Sequence, residues 1–298
     1  MVEQPNRPIG LAGDPLSELL RTDRPTAIVD IGANPIDGDP PYKPMLQKGL
    51  CHVTGFEPQP DALAELNARK SDHERYLPYV VGDGKVGTFR ICRASGMSSL
   101  LRPNKHMLSH FPKFGEWGHV VKEIPVSTRC LDDISEISEM DFLKIDVQGS
   151  ELSVLRHGHR RLMQAVAIQT EVSFLPLYHD QPTFGEIDNE LRRLDFVPHA
   201  FAAINKRMIA PVIDATNPYA AINQLLEADI VYVRDFTRPD AMSNEQLGQL
   251  AMIAHHCYRS HDLVGNCIHH LEGRQAIAPG SLGIYVRSLQ PPPVAPSS

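Results

Sequence analysis

The sequence predicts an α/β protein with a Rossmann-like, doubly wound and mostly parallel sheet, an antiparallel hairpin at its edge and a C-terminal helical extension. Three observations predict it. Short apolar runs recur at residues 27–31, 51–56, 79–81, 142–145 and 166–169. Between them, segments 60–69, 151–163 and 183–194 repeat apolar residues every three or four positions, as helices covering a sheet do. Two later runs, 196–200 and 229–234, follow without a convincing crossover helix, which predicts an antiparallel pair.

Residues 1–25, rich in Pro, Gly and Asp, read as a lead-in with one amphipathic stretch at 16–20. The catalytic domain is expected over 26–240. Within it, residues 84–126 break the rhythm with Gly, Pro and His, predicting a hairpin around 88–92 and a surface insertion that partly roofs the site. A helical extension follows over 241–290, opened by the capping pattern Ser243-Asn244-Glu245-Gln246. Its Leu247, Leu250, Ile253, Ala254 and Tyr258 share one helix face, suited to a homodimer contact or to packing on its own domain. The Pro-rich tail 291–298 is expected to be disordered.

The 298 residues carry a net charge of -7 and no run of Lys or Arg, which argues against a nucleic-acid partner and for a small-molecule one. No apolar stretch approaches the roughly 20 residues of a bilayer span and no leader pattern opens the chain, so a cytoplasmic protein without a membrane partner is expected. Cys51, Cys92, Cys130, Cys257 and Cys267 are scattered and form no CxxC pair, as reduced core thiols do. The His and Cys residues of the extension match no ligand spacing, and no metal is expected.

Chemistry concentrates at the strand ends. After Ile28-Val29-Asp30-Ile31, the residues Gly32-Ala33-Asn34 form a tight turn that lets a ligand approach the backbone. About 25 residues on, Glu57 and Pro58 close the next strand, where a carboxylate can accept hydrogen bonds from both hydroxyls of a ribose. Asp83, between two glycines, suits either an adenine amine or a turn. The run 141–151 ends a buried strand at Asp146, with Gln148 and Glu151 on the rim where open α/β sheets bind ligands. Glu171 ends the next strand. His179 follows in a loop, as a candidate base or a solvated side chain.

Through Asp30-Ile31-Gly32-Ala33-Asn34, Gly55-Phe56-Glu57-Pro58, Ser98-Ser99-Leu100, Leu131-Asp132-Asp133 and the run 144–151, the sequence resembles the FkbM family of methyltransferases over roughly residues 26–200. The resemblance implies an S-adenosylmethionine-dependent transferase, typically acting on oxygen of sugars or natural products. Together with the strand-end position of Asp83, it places the cofactor on Asp30, Gly32, Ala33, Asn34, Glu57, Pro58, Asp83, Ser99, Asp146 and Gln148. The chain departs from the family where Pro35 to Asp37 stand in place of a second glycine. Transfer to a hydroxyl needs a proton acceptor, for which Asp146, Glu171 and His179 are the candidates. N-methylation and non-catalytic nucleoside binding are the competing readings; a NAD-dependent reaction is disfavoured because a pyrophosphate-binding glycine loop is lacking.

Overall fold

The computed structural model describes residues 14–34, 38–214, 216–217 and 219–290. The tail 291–298, residues 1–13 of the lead-in and Pro35 to Asp37 lie outside the described residues. The strands are β1 (Thr26–Ile31), β2 (Cys51–Phe56), β3 (Glu74–Leu77), β4 (Val80–Val81), β5 (Val86–Cys92), β6 (Val120–Arg129), β7 (Phe142–Ile145), β8 (Ala167–Ser173), β9 (Phe196–Arg207) and β10 (Gln224–Arg234). The helices are α1 (Pro15–Leu20), α2 (Lys43–Gln47), α3 (Pro60–Arg69), α4 (Lys105–Leu108), α5 (Phe114–Trp117), α6 (Glu151–Arg156), α7 (His159–Leu162), α8 (Phe184–Arg193), α9 (Asn244–His256), α10 (His261–Gly273) and α11 (Ser281–Ser288). None of them is long and apolar enough to cross a membrane.

The chain divides into two compact units, one of residues 27–38 and 53–234, the other of 39–52 and 235–290 with the described part of 1–26. In the larger unit the sheet runs β3-β2-β1-β7-β8-β10-β9. β1 pairs parallel with β7, β7 with β8 and β2 with β3, while β10 runs antiparallel to both β8 and β9. The order reverses between β1 and β7, which makes their carboxyl ends the topological switch point at which such sheets bind ligands. Val29, Ile31, Leu143, Ile145 and Ile168 of the strands join Leu152, Leu155, Ile187 and Leu191 of α6 and α8 in one buried cluster. Each such side chain contributes about 1.5–3 kcal/mol on burial.

Three expectations are corrected. The run 79–81 is not a strand of the main sheet; that place belongs to β3, whose Glu-Arg-Tyr-Leu buries only Tyr76 because it is the edge strand. Val80 and Val81 instead pair parallel with β6 in a separate sheet of order β4-β6-β5. The hairpin expected around 88–92 is reduced to one antiparallel bridge, Arg90 with Ser99, and the main partner of β5 is β6, paired antiparallel across the intervening insertion. The helix expected over 151–163 is two helices, broken at Gly158, whose backbone packs so close to Leu131 that a Cβ would come within 2.7 Å of its Cδ2.

The insertion forms its own apolar cluster, in which Met97, Leu108, Phe111 and Phe114 meet Leu177, Tyr178 and Leu226. In the smaller unit, Ser243 caps α9 as the sequence indicates: its hydroxyl accepts from the Gln246 N–H at 3.1 Å, and the Gln246 side chain accepts from the Ser243 N–H at 3.0 Å. Leu247, Leu250, Ile253 and Ala254 are buried within the chain. His255 and His261 each place Nδ1 on the Tyr285 hydroxyl, at 2.9 and 2.8 Å.

Candidate active site

The bend after β1 is held by three backbone hydrogen bonds. The N–H groups of Gly32 and Ala33 both donate to the Phe56 carbonyl, at 3.0 and 3.1 Å, and the Asp146 N–H donates to the Ile31 carbonyl at 2.9 Å. Gly32 adopts φ +81°, and a Cβ there would overlap the Asp146 carbonyl oxygen. Only glycine satisfies both conditions. Beneath the bend, Asp30 and Lys144 stand opposite each other in register, 3.3 Å apart, with Asp30 fully buried. Burial disfavours the Lys144 ammonium, but Asp30 and Asp146 outweigh that cost and hold its pKa above the ordinary value. Asp30 and Ala33 are thus structural supports of the turn.

Glu57, at the end of β2, is only 3% exposed. Its carboxylate accepts the Gln59 N–H at 2.7 Å and the Asn34 N–H. Its pKa is raised, chiefly by burial, with Asp30 adding to the effect and the two N–H bonds opposing it. A carboxylate has about four lone-pair positions, so these bonds leave it able to accept more.

Gly32, Asn34, Glu57 and Pro58 line an open cavity of ≈ 730 Å³ together with Asp146 and Gln148. Tyr79, Val80, Phe89 and Leu100 supply apolar wall, and Ser95, Gly96 and Ser98 bring the insertion to its edge. Among the described residues, none that lines the cavity is Lys or Arg. The site therefore suits an uncharged or cationic molecule with a hydroxylated part at Glu57 and a flat apolar part at the wall.

The other residues singled out in the sequence lie elsewhere. Asp83 does not line the cavity; its carboxylate accepts from the Lys85 N–H at 3.1 Å and the Thr128 hydroxyl at 3.2 Å. Burial raises its pKa, but these bonds and the Lys85 ammonium lower it further, so the net shift is downward. Ser99 is buried behind the wall, donating to the Gln148 carbonyl at 2.7 Å and so tying the insertion to the loop after β7. His179 is exposed, and its backbone N–H donates to the Arg102 carbonyl at 2.8 Å. Its neighbour Tyr178 points inward instead.

Beyond the cavity wall the carboxylates crowd. Oxygen atoms of Asp146, Glu151 and Glu171 all lie within 4.8 Å of one another. The Gln148 amide, on a residue with φ 55°, donates to Asp146 Oδ1 at 2.8 Å and to Glu171 Oε2 at 3.2 Å. Its carbonyl oxygen accepts the Tyr178 hydroxyl at 3.2 Å. Glu151 is pushed up to about 7 by burial, although it accepts the Val147 and Gly149 N–H groups, each at 3.0 Å. Glu171 is pushed well above the carboxylate range, by burial first and then by Asp146, Glu227, Glu151 and Asp229. Glu227, also raised to about 7, comes from β10, where Asp229 pairs in register with Glu171. Like charges this close cannot all ionise, so the group retains a proton near neutral pH.

Sequence reasoning missed Glu227 and Tyr178. Glu227 sits in an apolar strand run that gives no sign of a site, whereas the inward turn of Tyr178 is signalled only by its neighbour Leu177.

No curated protein matches the chain. Among solved structures, the fold is similar to that of magnesium protoporphyrin IX methyltransferase of Synechocystis PCC 6803 with bound SAM, at TM-score 0.37 and 8% identity, covering 71% of each chain. It is similar to methyltransferase FkbM of Methylobacillus flagellatus KT at TM-score 0.37 and 14% identity, covering 70% of this chain and 43% of that one. Precorrin-6y C5,15-methyltransferase of Geobacter metallireducens GS-15 is similar at TM-score 0.34 and 12% identity, covering 78% and 89%. Residues 30–198, more than half of the chain, match the methyltransferase FkbM domain, and they hold both the Gly32 bend and the carboxylates after β7 and β8: the chain belongs to the FkbM methyltransferase family.

Proposed function

We propose that this protein transfers a methyl group from S-adenosylmethionine to a hydroxyl oxygen of a small acceptor such as a sugar or natural product. One observation carries the reading: the Gly32 bend and the Glu57 carboxylate line the same cavity as Asp146. The residues fit this cofactor. Glu57 suits a ribose diol, and the lack of Lys and Arg among the described lining residues suits a molecule without phosphate.

When bound, the cofactor supplies a sulfonium-activated methyl group. The protein must then align the acceptor oxygen and take its proton. Asp146 stands at the cavity and Glu171 behind it, both held by the Gln148 amide, so a proton leaving a hydroxyl can pass to this carboxylate group. Asp146, at the cavity itself, is the acceptor we favour, with Glu171 behind it; His179, the third candidate, is exposed.

Calorimetric titration with adenosylhomocysteine, beside a screen of hydroxylated acceptors with methyl-labelled S-adenosylmethionine, tests the reading. Saturable binding with label appearing in an ether product is expected. A titration without heat, or label appearing on nitrogen, would overturn it.

A further inference from the structure

Among the described residues, seven of the fourteen large apolar side chains left exposed lie within 201–222. Five sit on the connection from β9 to β10: Ile209, Val212, Ile213, Tyr219 and Ile222, each at least half exposed. Isolated exposed apolar residues are ordinary, but a group of this size on one loop marks a contact surface.

The position of the connection is informative. Gln224 pairs with Arg207, and Glu227 pairs with Ser173 at the end of β8. The loop therefore leaves the sheet at the edge where β7 and β8 deliver Asp146 and Glu171. It is joined there to the insertion: the Ala210 N–H donates to the His110 carbonyl at 2.8 Å, and Tyr219 stacks on Trp117 with ring centroids 5.3 Å apart. The Arg207 guanidinium lies over Phe114 and Tyr219 at 5.7 and 5.5 Å.

Charge distinguishes this region from the rest of the protein. The insertion, 93–119, holds Arg93, Arg102, Lys105 and Lys113 against one acid, Glu116, and is net +3 in a chain of net -7. Lys206 and Arg207 add two cations at the base of the loop, against one acid, Asp214, within it. Apolar side chains at a loop tip with cations at its base match the interface of an anionic bilayer, where aliphatic groups enter the acyl boundary and Lys and Arg near the surface are attracted to the headgroups.

We propose that the β9–β10 connection and the insertion dock reversibly on an anionic lipid surface. The open rim of the site would then face the membrane, and the acceptor class is a hydroxylated headgroup carried on an apolar anchor. The acceptor class rests on the methyltransferase reading; the docking does not, and the two fail separately.

Co-sedimentation of the full chain with phosphatidylglycerol–phosphatidylcholine vesicles, against phosphatidylcholine alone, tests the docking. Expected is binding to the anionic vesicles that falls at least tenfold in the double variant Ile209→Asp, Ile213→Asp and several-fold with Lys206→Glu or with added salt. Val86→Asp, on an exposed apolar residue of β5, should bind as the parent does. Failure to sediment, or equal binding by the double variant, would overturn the proposal. So would a dimer, seen by light scattering, that the double variant dissociates, since a second copy would then cover the surface. Adenosylhomocysteine binding, measured in parallel on the same samples, reports on the methyltransferase reading independently.

Discussion

At the ends of β1 and β2 one carboxylate, Glu57, faces the cavity and satisfies two backbone N–H groups, with no cation among the described lining residues. Across the switch point, at β7, β8 and β10, Asp146, Glu151, Glu171 and Glu227 press their charges together in a buried space. Burial is the largest cause of the raised carboxyl pKa values on both sides, and repulsion from several neighbouring acids adds to it on the second. The first arrangement is fixed and suited to holding a ligand. The second keeps a proton in play, which suits an acceptor that must lose one. The two halves are joined by the Asp30–Lys144 pair, and the comparison is tested first at that seam.

Lys144→Met would leave Asp30 without its ammonium partner, a loss worth about 3–5 kcal/mol for a buried pair. Thermal unfolding should show a drop of at least about 6 °C. A variant as stable as the parent would mean that the two halves do not depend on this pair.

Glu57→Ala is expected to weaken adenosylhomocysteine binding by about 100-fold, because a hydrogen bond to a charged group contributes about 1.5–3 kcal/mol. Calorimetry reads this directly, and Glu171→Gln should leave the same affinity within about threefold. Equal losses in both variants would erase the division between a binding half and a proton-handling half.

That division also separates what was legible in the sequence from what was not. Gly32 and Glu57 are local signals, a glycine and an acid each ending an apolar run, and β1 and β2 bring them together by direct neighbourhood. Asp146, Gln148 and Glu171 were legible for the same reason. Glu227 was not, because it reaches the site through antiparallel pairing of β10 with β8, and within Leu225-Leu226-Glu227-Ala228 it reads as a lone charge on a strand. β6 was hidden because Lys122, Glu123 and Pro125 interrupt its apolar pattern, most of its side chains being solvated. At 177–179 the intrinsic pKa of imidazole drew attention to His179, while packing with Leu177 turned Tyr178 inward.

The proton-handling half predicts a pH dependence of stability. Burial pushes the Glu227 carboxyl up to about 7 in the folded chain, from an ordinary value of 4.5. Between those values the folded chain holds a proton that the unfolded chain has released, so this group's contribution is complete below the unfolded value and is lost as pH rises toward about 7. Glu227→Gln removes that slope. Its melting temperature should fall less than the parent's between about pH 5 and pH 7, by about 2–4 °C. Parallel curves would show that Glu227 titrates normally.

The smallest effect is expected at Tyr178. Its hydroxyl reaches the Gln148 side-chain oxygen at 3.2 Å and the Met97 carbonyl at 3.1 Å, so it links the roof to the residue that holds both Asp146 and Glu171. Tyr178→Phe keeps the ring in its apolar cluster and removes only that link, at a cost of about 1 kcal/mol in stability. Because the Tyr178 hydroxyl bonds to Gln148 and to the roof and not to Glu57, adenosylhomocysteine affinity should stay unchanged while the rate of methyl transfer falls several-fold and its pH profile moves. A loss of affinity with an unmoved profile would place Tyr178 with Glu57, and the boundary between the two halves would have to be drawn through Gln148 instead of beside it.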